Sequence, residues 1–318
     1  MLLIISAITF SLLSAAGGDA LTLLSSNPVT SQQTLVRLRQ TYGLDRPMYL
    51  RYANWLRNIA RGDMGQSSYH DAPVWTVLKP RLFATTKLAV AAMGLALLFA
   101  FAMGTGAARW PGGWLDYLCS GVVIVASSLP RIVIALVALV IVLQAALFSL
   151  SGTEISGPQS LTRLLVTSSV LSVPLFALFL GQIQDGLKET MQADFITVAR
   201  AKGLSETRLL LHHAMRNSLN PVINIAGYAL GGLISGSVIV ESVLGWPGLG
   251  QICVTAVRSR DVPLLMGLVL VTAAFVLLGN FIADILLFLT DPQIRARAEF
   301  KSAFPGKPVS AMETAVKG

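Results

Sequence analysis

Charge is scarce in this sequence. Asp, Glu, Lys and Arg make up 13% of its 318 residues, and 54% are hydrophobic. An ordinary soluble domain carries about 25% charged residues. So few charges cannot cover a large water-facing surface, which excludes a soluble globular chain and leaves an integral membrane protein. Cysteine is nearly absent, with only Cys119 and Cys253. They lie on different loops that the topology below puts near opposite membrane faces, so no disulfide is expected between them. The histidines are His70, His212 and His213, none inside an apolar run, and too few ligands remain for a metal site. No GxxxxGK[ST] pattern occurs; "PGKP" near the tail lacks both the spacing and the Ser or Thr. If ATP drives any process here, another chain must bind it.

Long apolar runs are what the sequence does have. A helix that crosses the hydrocarbon needs about 20 mostly apolar residues. Leu88–Ala108, Leu164–Gln184, Asn217–Val240 and Val262–Ala283 carry no charge, and Tyr117–Ser149 carries only Arg131. The sixth run, Met1–Gly18, is uncharged but short. "SAAGGDA" at its end also fits a signal-peptide cleavage region, but no Lys or Arg precedes it, and a retained helix is the favoured reading. The expected fold is all-α, with six transmembrane helices. The expected division is a first span at 1–18, an extracytoplasmic loop at 19–82 and a five-helix core at 83–290. Within that core lies a loop at 185–220, and a tail follows at 291–318.

Six spans put both termini on one side, and the positive-inside rule chooses it. The 185–220 loop carries Lys188, Arg200, Lys202, Arg208 and Arg216, and the tail Arg295, Arg297, Lys301, Lys307 and Lys317. The loop after the second span adds Arg109. On the other side, Ser151–Leu161 has no basic residue and Gly245–Asp261 has Arg258 and Arg260. The termini and the 185–220 loop are therefore expected in the cytoplasm. The 19–82 loop is basic too, but it exceeds the length of about 60 residues beyond which charge counts weakly. Within it, Thr30 or Ser31 can cap a helix carrying Leu35, Leu38 and Tyr42, which Gly43 stops. A second helix starts at Pro47, lines up Tyr49, Tyr52, Leu56 and Ile59, and ends at Gly62. Such helices can lie on the membrane, cap the bundle or simply pack onto the spans.

Three features inside the spans stand out. Gly227 and Gly231 are four apart, as are Gly232 and Gly236, a spacing that lets a helix backbone approach another closely, in this chain or a second subunit. Pro130 and Pro174 sit mid-span and should kink their helices. Arg131 would cost about 2.5–3.5 kcal/mol in lipid even on a mild scale. It either lines a path that attracts an anionic group, pairs with Glu241 or Asp284, or snorkels.

The most helix-prone hydrophilic stretch lies in the 185–220 loop. Gly186–Lys202 favours a helix, Gly203 breaks it, and Ser205 with Glu206 can start a second helix. That second helix carries Leu209, Leu210, His213 and Leu219 and should stop at Asn220-Pro221. The expected product is a basic helix–turn–helix elbow. It can lie on anionic lipid or dock into another protein; as a DNA reader beside a membrane it carries too few basic residues.

The elbow's residues resemble a known family. "ARAKGLS" (Ala199–Ser205) followed by "HAMRNSLNP" (His213–Pro221) resembles the cytoplasmic loop of ABC importer permeases, most of all the dipeptide, oligopeptide and nickel branch. "GLDRP" (43–47), "GDMGQS" (62–67), "ESVLGWPGLG" (241–250), Asn280 with Asp284, and "DPQIR" (291–295) match in the same order. The resemblance covers nearly the whole chain. Several residues depart from the family pattern. Thr197 stands where the general loop signature has glutamate, His212 where arginine is usual, Lys87 where glutamate is common and Arg131 where an aromatic is common. Members also usually begin earlier, with basic residues before the first span.

The resemblance implies an ABC importer permease fold at the inner membrane, one half of a permease pair with a second homologous subunit. It implies two ATPase subunits that carry ATP and Mg, and an extracytoplasmic substrate-binding protein. No catalytic residue, cofactor or nucleic-acid partner is expected on this chain. The implied ATPase-coupling segment is Arg200, Ala201, Lys202, Gly203, Leu204, Ser205, Glu206, Thr207 and Arg208, with Leu204 in a groove of the ATPase. Pro130 and Arg131, read from the spans themselves and not from the resemblance, are the candidate residues of a translocation path. Di- or oligopeptide is the leading cargo, since few fixed charges line the spans; nickel or a metal chelate is the alternative within the branch. An ion-coupled carrier or channel, which would place ionisable groups and broken helices mid-membrane, and a non-transporting scaffold remain as readings from other classes.

Overall fold

A computed structural model describes residues 2–15, 47–144 and 161–290. The expected helix at Thr30–Tyr42, the "SAAGGDA" stretch beyond Ala15 and the tail lie outside the described residues. Among the described residues the chain is helical apart from one two-stranded hairpin. Three helices are long and apolar enough to cross a membrane: α3 (Val74–Arg109), α6 (Leu161–Met191), and the Val262–Leu286 part of α10 (Val262–Thr290). Two more, α1 (Leu2–Ala15) and α4 (Trp114–Ser128), are apolar but shorter. The 14 residues of α1 span about 21 Å at 1.5 Å per residue, less than the ~30 Å of hydrocarbon.

Two proline readings come out differently. The run Tyr117–Ser149 is not one kinked helix but two: α4 ends at Ser128, and α5 (Arg131–Gln144) begins beyond Pro130. Leu129 is extended (ψ 129), as a residue before proline prefers, and that breaks the helix outright. Pro221, expected to stop a helix, lies inside α8 (Met215–Val243). A proline costs a helix one hydrogen bond, but in a membrane bundle packing against neighbours sustains the turn around it. Here Gly186 of α6 comes close to Ser218, three residues before Pro221; a Cβ on that glycine would lie 3.2 Å from the Ser218 Cβ.

The chain divides into two compact units. The first comprises residues 1–92, 130–171 and 232–276. Its core joins Val74 and Leu78 of α3 to Leu249, Ile252 and Ala256 of α9 (Leu249–Arg258) and to Leu264, Leu265 and Leu268 of α10. In this unit α2 (Met48–Ala60) lies on α1, where the Tyr52 hydroxyl meets Ser6 Oγ at 2.9 Å and the rings of Phe10 and Tyr52 sit 5.4 Å apart. A short hairpin, β1 (Gln66–Ser67) with β2 (Ala72–Pro73), is held by the buried Asp261 carboxylate. That carboxylate accepts from Ser67 Oγ (2.6 Å) and from the backbone of Tyr69 (3.0 Å) and Leu264 (3.1 Å).

A second buried acid organises the "ESVLGWPGLG" turn. Glu241, fully buried, accepts from Thr85 Oγ1 at 2.8 Å and from the Gly250 amide at 2.6 Å. The Thr85 hydroxyl in turn accepts from the Leu249 amide at 2.8 Å. Trp246, almost fully buried, donates its indole N–H to the Ala84 carbonyl at 3.1 Å. The carboxylate thus sits at the positive N-terminus of α9, satisfying donors that the helix cannot satisfy itself.

The second unit comprises residues 93–129, 172–231 and 277–318. Small residues bring its helices together. A Cβ on Gly104 of α3 would lie 2.7 Å from Ile183 of α6, and one on Gly227 of α8 would lie 2.0 Å from the Cβ of Ala283 of α10. Asp116 at the start of α4 pairs with Lys188 of α6 at 2.9 Å and accepts from Gln184 at 3.1 Å.

Candidate functional site

The elbow lies in the second unit. The helix expected over Gly186–Lys202 is divided. α6 closes with amides of Gln192 and Ala193 donating to the carbonyls of Glu189 and Thr190, and α7 (Asp194–Ala201) begins with an acid in its first turn, where the helix end is positive. α7 ends in a Schellman turn. The Gly203 amide donates to the Arg200 carbonyl (3.0 Å) and the Leu204 amide to the Ala199 carbonyl (3.4 Å). Gly203 has φ +82, a left-handed conformation that side chains with a Cβ resist, and open space around it.

Beyond the turn, Ser205 is extended and its carbonyl accepts from the Arg208 and Leu209 amides, but its side chain makes no capping bond. Glu206 turns back to Arg200 instead. Arg200 Nε and Nη2 donate to its two carboxylate oxygens at 2.6 and 3.2 Å, a bidentate pair. The guanidinium bond holds the Glu206 carboxyl below its usual range and raises Arg200 correspondingly. A single helical turn, Glu206–Arg208, runs into a π-helical segment, Leu209–Ala214, and then into α8. Leu209, Leu210 and Ala214 are buried and form the elbow's base. Its tip is bare: Arg200 to Gly203 and Ser205 to Arg208 are exposed and Leu204 is half-buried. On α7, Ile196 is the buried anchor, while Phe195 and Val198 are exposed.

Arg109, the last residue of α3, reaches this tip. Its Nη1 donates to Thr207 Oγ1 at 2.5 Å, and its guanidinium carbon lies 5.4 Å from the centroid of the Trp110 ring.

The other sequence candidates are scattered. Pro130 separates α4 from α5, and Arg131 opens α5; the Arg131 side chain lies outside the described residues. Of the four glycines, Gly227 meets α10 of the same chain, and Gly232 has nothing within 4 Å of its Cβ position. The surroundings of Gly231 and Gly236 lie outside the described residues. Neither Glu241 nor Asp261 is among the site residues expected from the sequence. The signal that was available is an acid placed shortly before or at a helix start, Glu241 ahead of Gly248-Leu249 and Asp261 ahead of Val262.

Comparison with known proteins decides the family. The model of the "binding-protein-dependent transport system inner membrane component" family matches residues 84–296, and that of its N-terminal part matches residues 1–89. The chain belongs to this family. Oligopeptide transport system permease protein AppB of Bacillus subtilis is 33% identical over 302 residues, covering 92% of this chain and 95% of that protein. Glutathione transport system permease protein GsiC of Salmonella typhimurium is 29% identical over 294 residues, covering 92% and 94%. A structure of the MetNI methionine ABC transporter in inward-facing conformations superposes with a TM-score of 0.57 at 16% identity, covering 68% of this chain and 96% of that one. That likeness concerns the fold alone. This chain is therefore a polytopic transport permease subunit of an inner-membrane importer, not an enzyme.

Proposed function

We propose that the chain forms half of the translocation path of an ATP-driven importer of di- or oligopeptides. The cargo is inferred from the oligopeptide and glutathione systems named for its relatives. The partners are a second homologous permease, two ATPase subunits with ATP and Mg, and an extracytoplasmic binding protein that delivers the peptide. In this reading residues 1–18 are the first span, 19–82 face outside, 83–290 form the core, and both termini and the 185–220 loop face the cytoplasm. Pro130 and Arg131 belong to the path.

The elbow is the coupling element, with Arg200 to Arg208 as its contact with the ATPase. The observation that carries this is a rigid yet uncovered tip. A Schellman turn and a bidentate ion pair fix its shape, while among the described residues Lys202 and Arg208, and the apolar Phe195 and Val198 on α7, are exposed and Leu204 is only half-buried. Nucleotide and peptide then bias one two-state cycle, since each binds one state better than the other. The test is Gly203→Pro. Proline fixes φ near −65° and cannot adopt the left-handed turn. The variant complex should assemble, yet its ATPase should no longer respond to peptide-loaded binding protein. A normal response would refute the reading.

A further inference from the structure

The elbow must pull on something, and its contacts name the point of attachment. Among the described residues, Thr207 is the one member of the Arg200–Arg208 stretch whose side chain bonds a transmembrane helix, and its partner is Arg109. Arg109 closes α3, a single helix of 36 residues. Its guanidinium is steadied over the Trp110 ring, so less side-chain freedom is lost when it binds than for an unsupported cation. The turn that follows is itself anchored. The Gly113 amide donates to the Trp110 carbonyl (3.0 Å) and the Gly112 amide to Asp116 Oδ2 (3.1 Å), while Asp116 Oδ1 holds Lys188 of α6. Arg109 is thus a fixed donor facing the elbow, and Thr207 is an acceptor carried by it.

We propose that Arg109 is a positioning residue for transport: its bond to Thr207 hands the elbow's displacement to the end of α3. This rests on the elbow being the ATPase contact. Thr207 moves with the Glu206–Arg208 turn, which the Arg200–Glu206 pair ties to α7. Loss of the bond from the Arg109 side, outside the Arg200–Arg208 contact, leaves that contact in place and lets the elbow move without α3. The signature is wasted ATP rather than lost assembly.

The experiment uses the complete importer in liposomes, with peptide uptake and ATP hydrolysis measured on the same vesicles. Arg109→Ala and Thr207→Val each remove one half of the bond; Arg109→Met, which keeps the side chain's length without the donor and lies outside the ATPase contact, decides the matter if Arg109→Ala assembles poorly. Each should lower peptide carried per ATP by about fivefold, in the range of a charge-assisted hydrogen bond near a surface. The double variant should fall no further than either single one, because the two share one interaction. Thr207→Ser keeps the hydroxyl and should keep the ratio. An unchanged ratio in the single variants, or a double variant whose loss is the product of the two, overturns the inference. A Lys202→Cys cross-link to the ATPase subunit separates the two levels. Cross-linking with an unchanged ratio overturns only the role of Arg109; no cross-link in an otherwise unaltered permease overturns the elbow reading and this inference with it.

Discussion

Gly227 offers a quantitative test of how α8 and α10 meet. A Cβ on Gly227 would lie 2.0 Å from the Ala283 Cβ and 3.5 Å from its Cα. Two carbons in contact prefer about 3.5–4.0 Å, so Gly227→Ala forces a local separation of about 1.5–2 Å. Neither methyl can rotate away, because both are fixed to helix backbone. Overpacking of this kind costs about 1–3 kcal/mol, and the lack of any rotamer escape puts Gly227→Ala in the upper half. The reverse change at the partner, Ala283→Gly, removes the obstructing methyl and costs about 1 kcal/mol through helix propensity. Alanine at 227 returns a similar amount, so the double variant should lie within about 1 kcal/mol of the original, a coupling of about 2–3 kcal/mol that equals the overpacking relieved. Unfolding of the purified permease in mixed SDS micelles, followed by tryptophan fluorescence, measures all four proteins. A fully stable Gly227→Ala, or a double variant no better than the single one, would refute the proposed approach of the two helices.

Two further outcomes follow from the hydrogen bonds. Asp261→Ala strips the hairpin of its acceptor and α10 of its cap, a loss of about 2–4 kcal/mol; faster proteolysis at the exposed Tyr69–Asp71 tip should report it, and cleavage at the original rate would argue against the brace. The Arg200–Glu206 pair has a sign fixed by titration. Glu206 has its carboxyl lowered from 4.5 in the folded chain, so the pair's contribution is complete above that value and fades as pH falls through the lowered one. Amide protection across Arg200–Leu209, the exchange rate relative to the intrinsic rate at each pH, should therefore be unchanged from pH 8 to 5 and fall only in more acidic solution. Loss of protection beginning near neutrality would contradict the pair.

Much of this architecture is written locally in the chain. Uncharged runs give α3, α6 and α10 because lipid leaves a helix no other way to satisfy its backbone. Pro47 and Gly62 bracket α2, and Gly203 marks the elbow's turn, because each fixes or frees a single backbone angle. The features that were not legible depend on distant partners. Glu241 finds Thr85 across 156 positions and Asp261 finds Ser67 across 194. Neither pairing leaves a trace in local spacing. The division of the elbow's first helix at Gln192–Ala193 involves no glycine or proline. The π-helical segment Leu209–Ala214 likewise has an unremarkable composition for a helix. Pro221 misled for the opposite reason: its local effect is real, and close helix packing outweighs it. In the candidate site, the turn at Gly203 was readable, whereas the donor Arg109, 98 positions from Thr207, was not.

The central claim is that the elbow's tip is covered by an ATPase subunit. Leu204, half-buried at the turn's exit, reports this most directly as Leu204→Cys in an importer otherwise free of reactive thiols. Its labelling by a water-soluble maleimide is followed in the whole complex and after the ATPase subunits are stripped away. The account predicts strong protection in the assembled importer that vanishes on stripping. Equal labelling rates in both would contradict it.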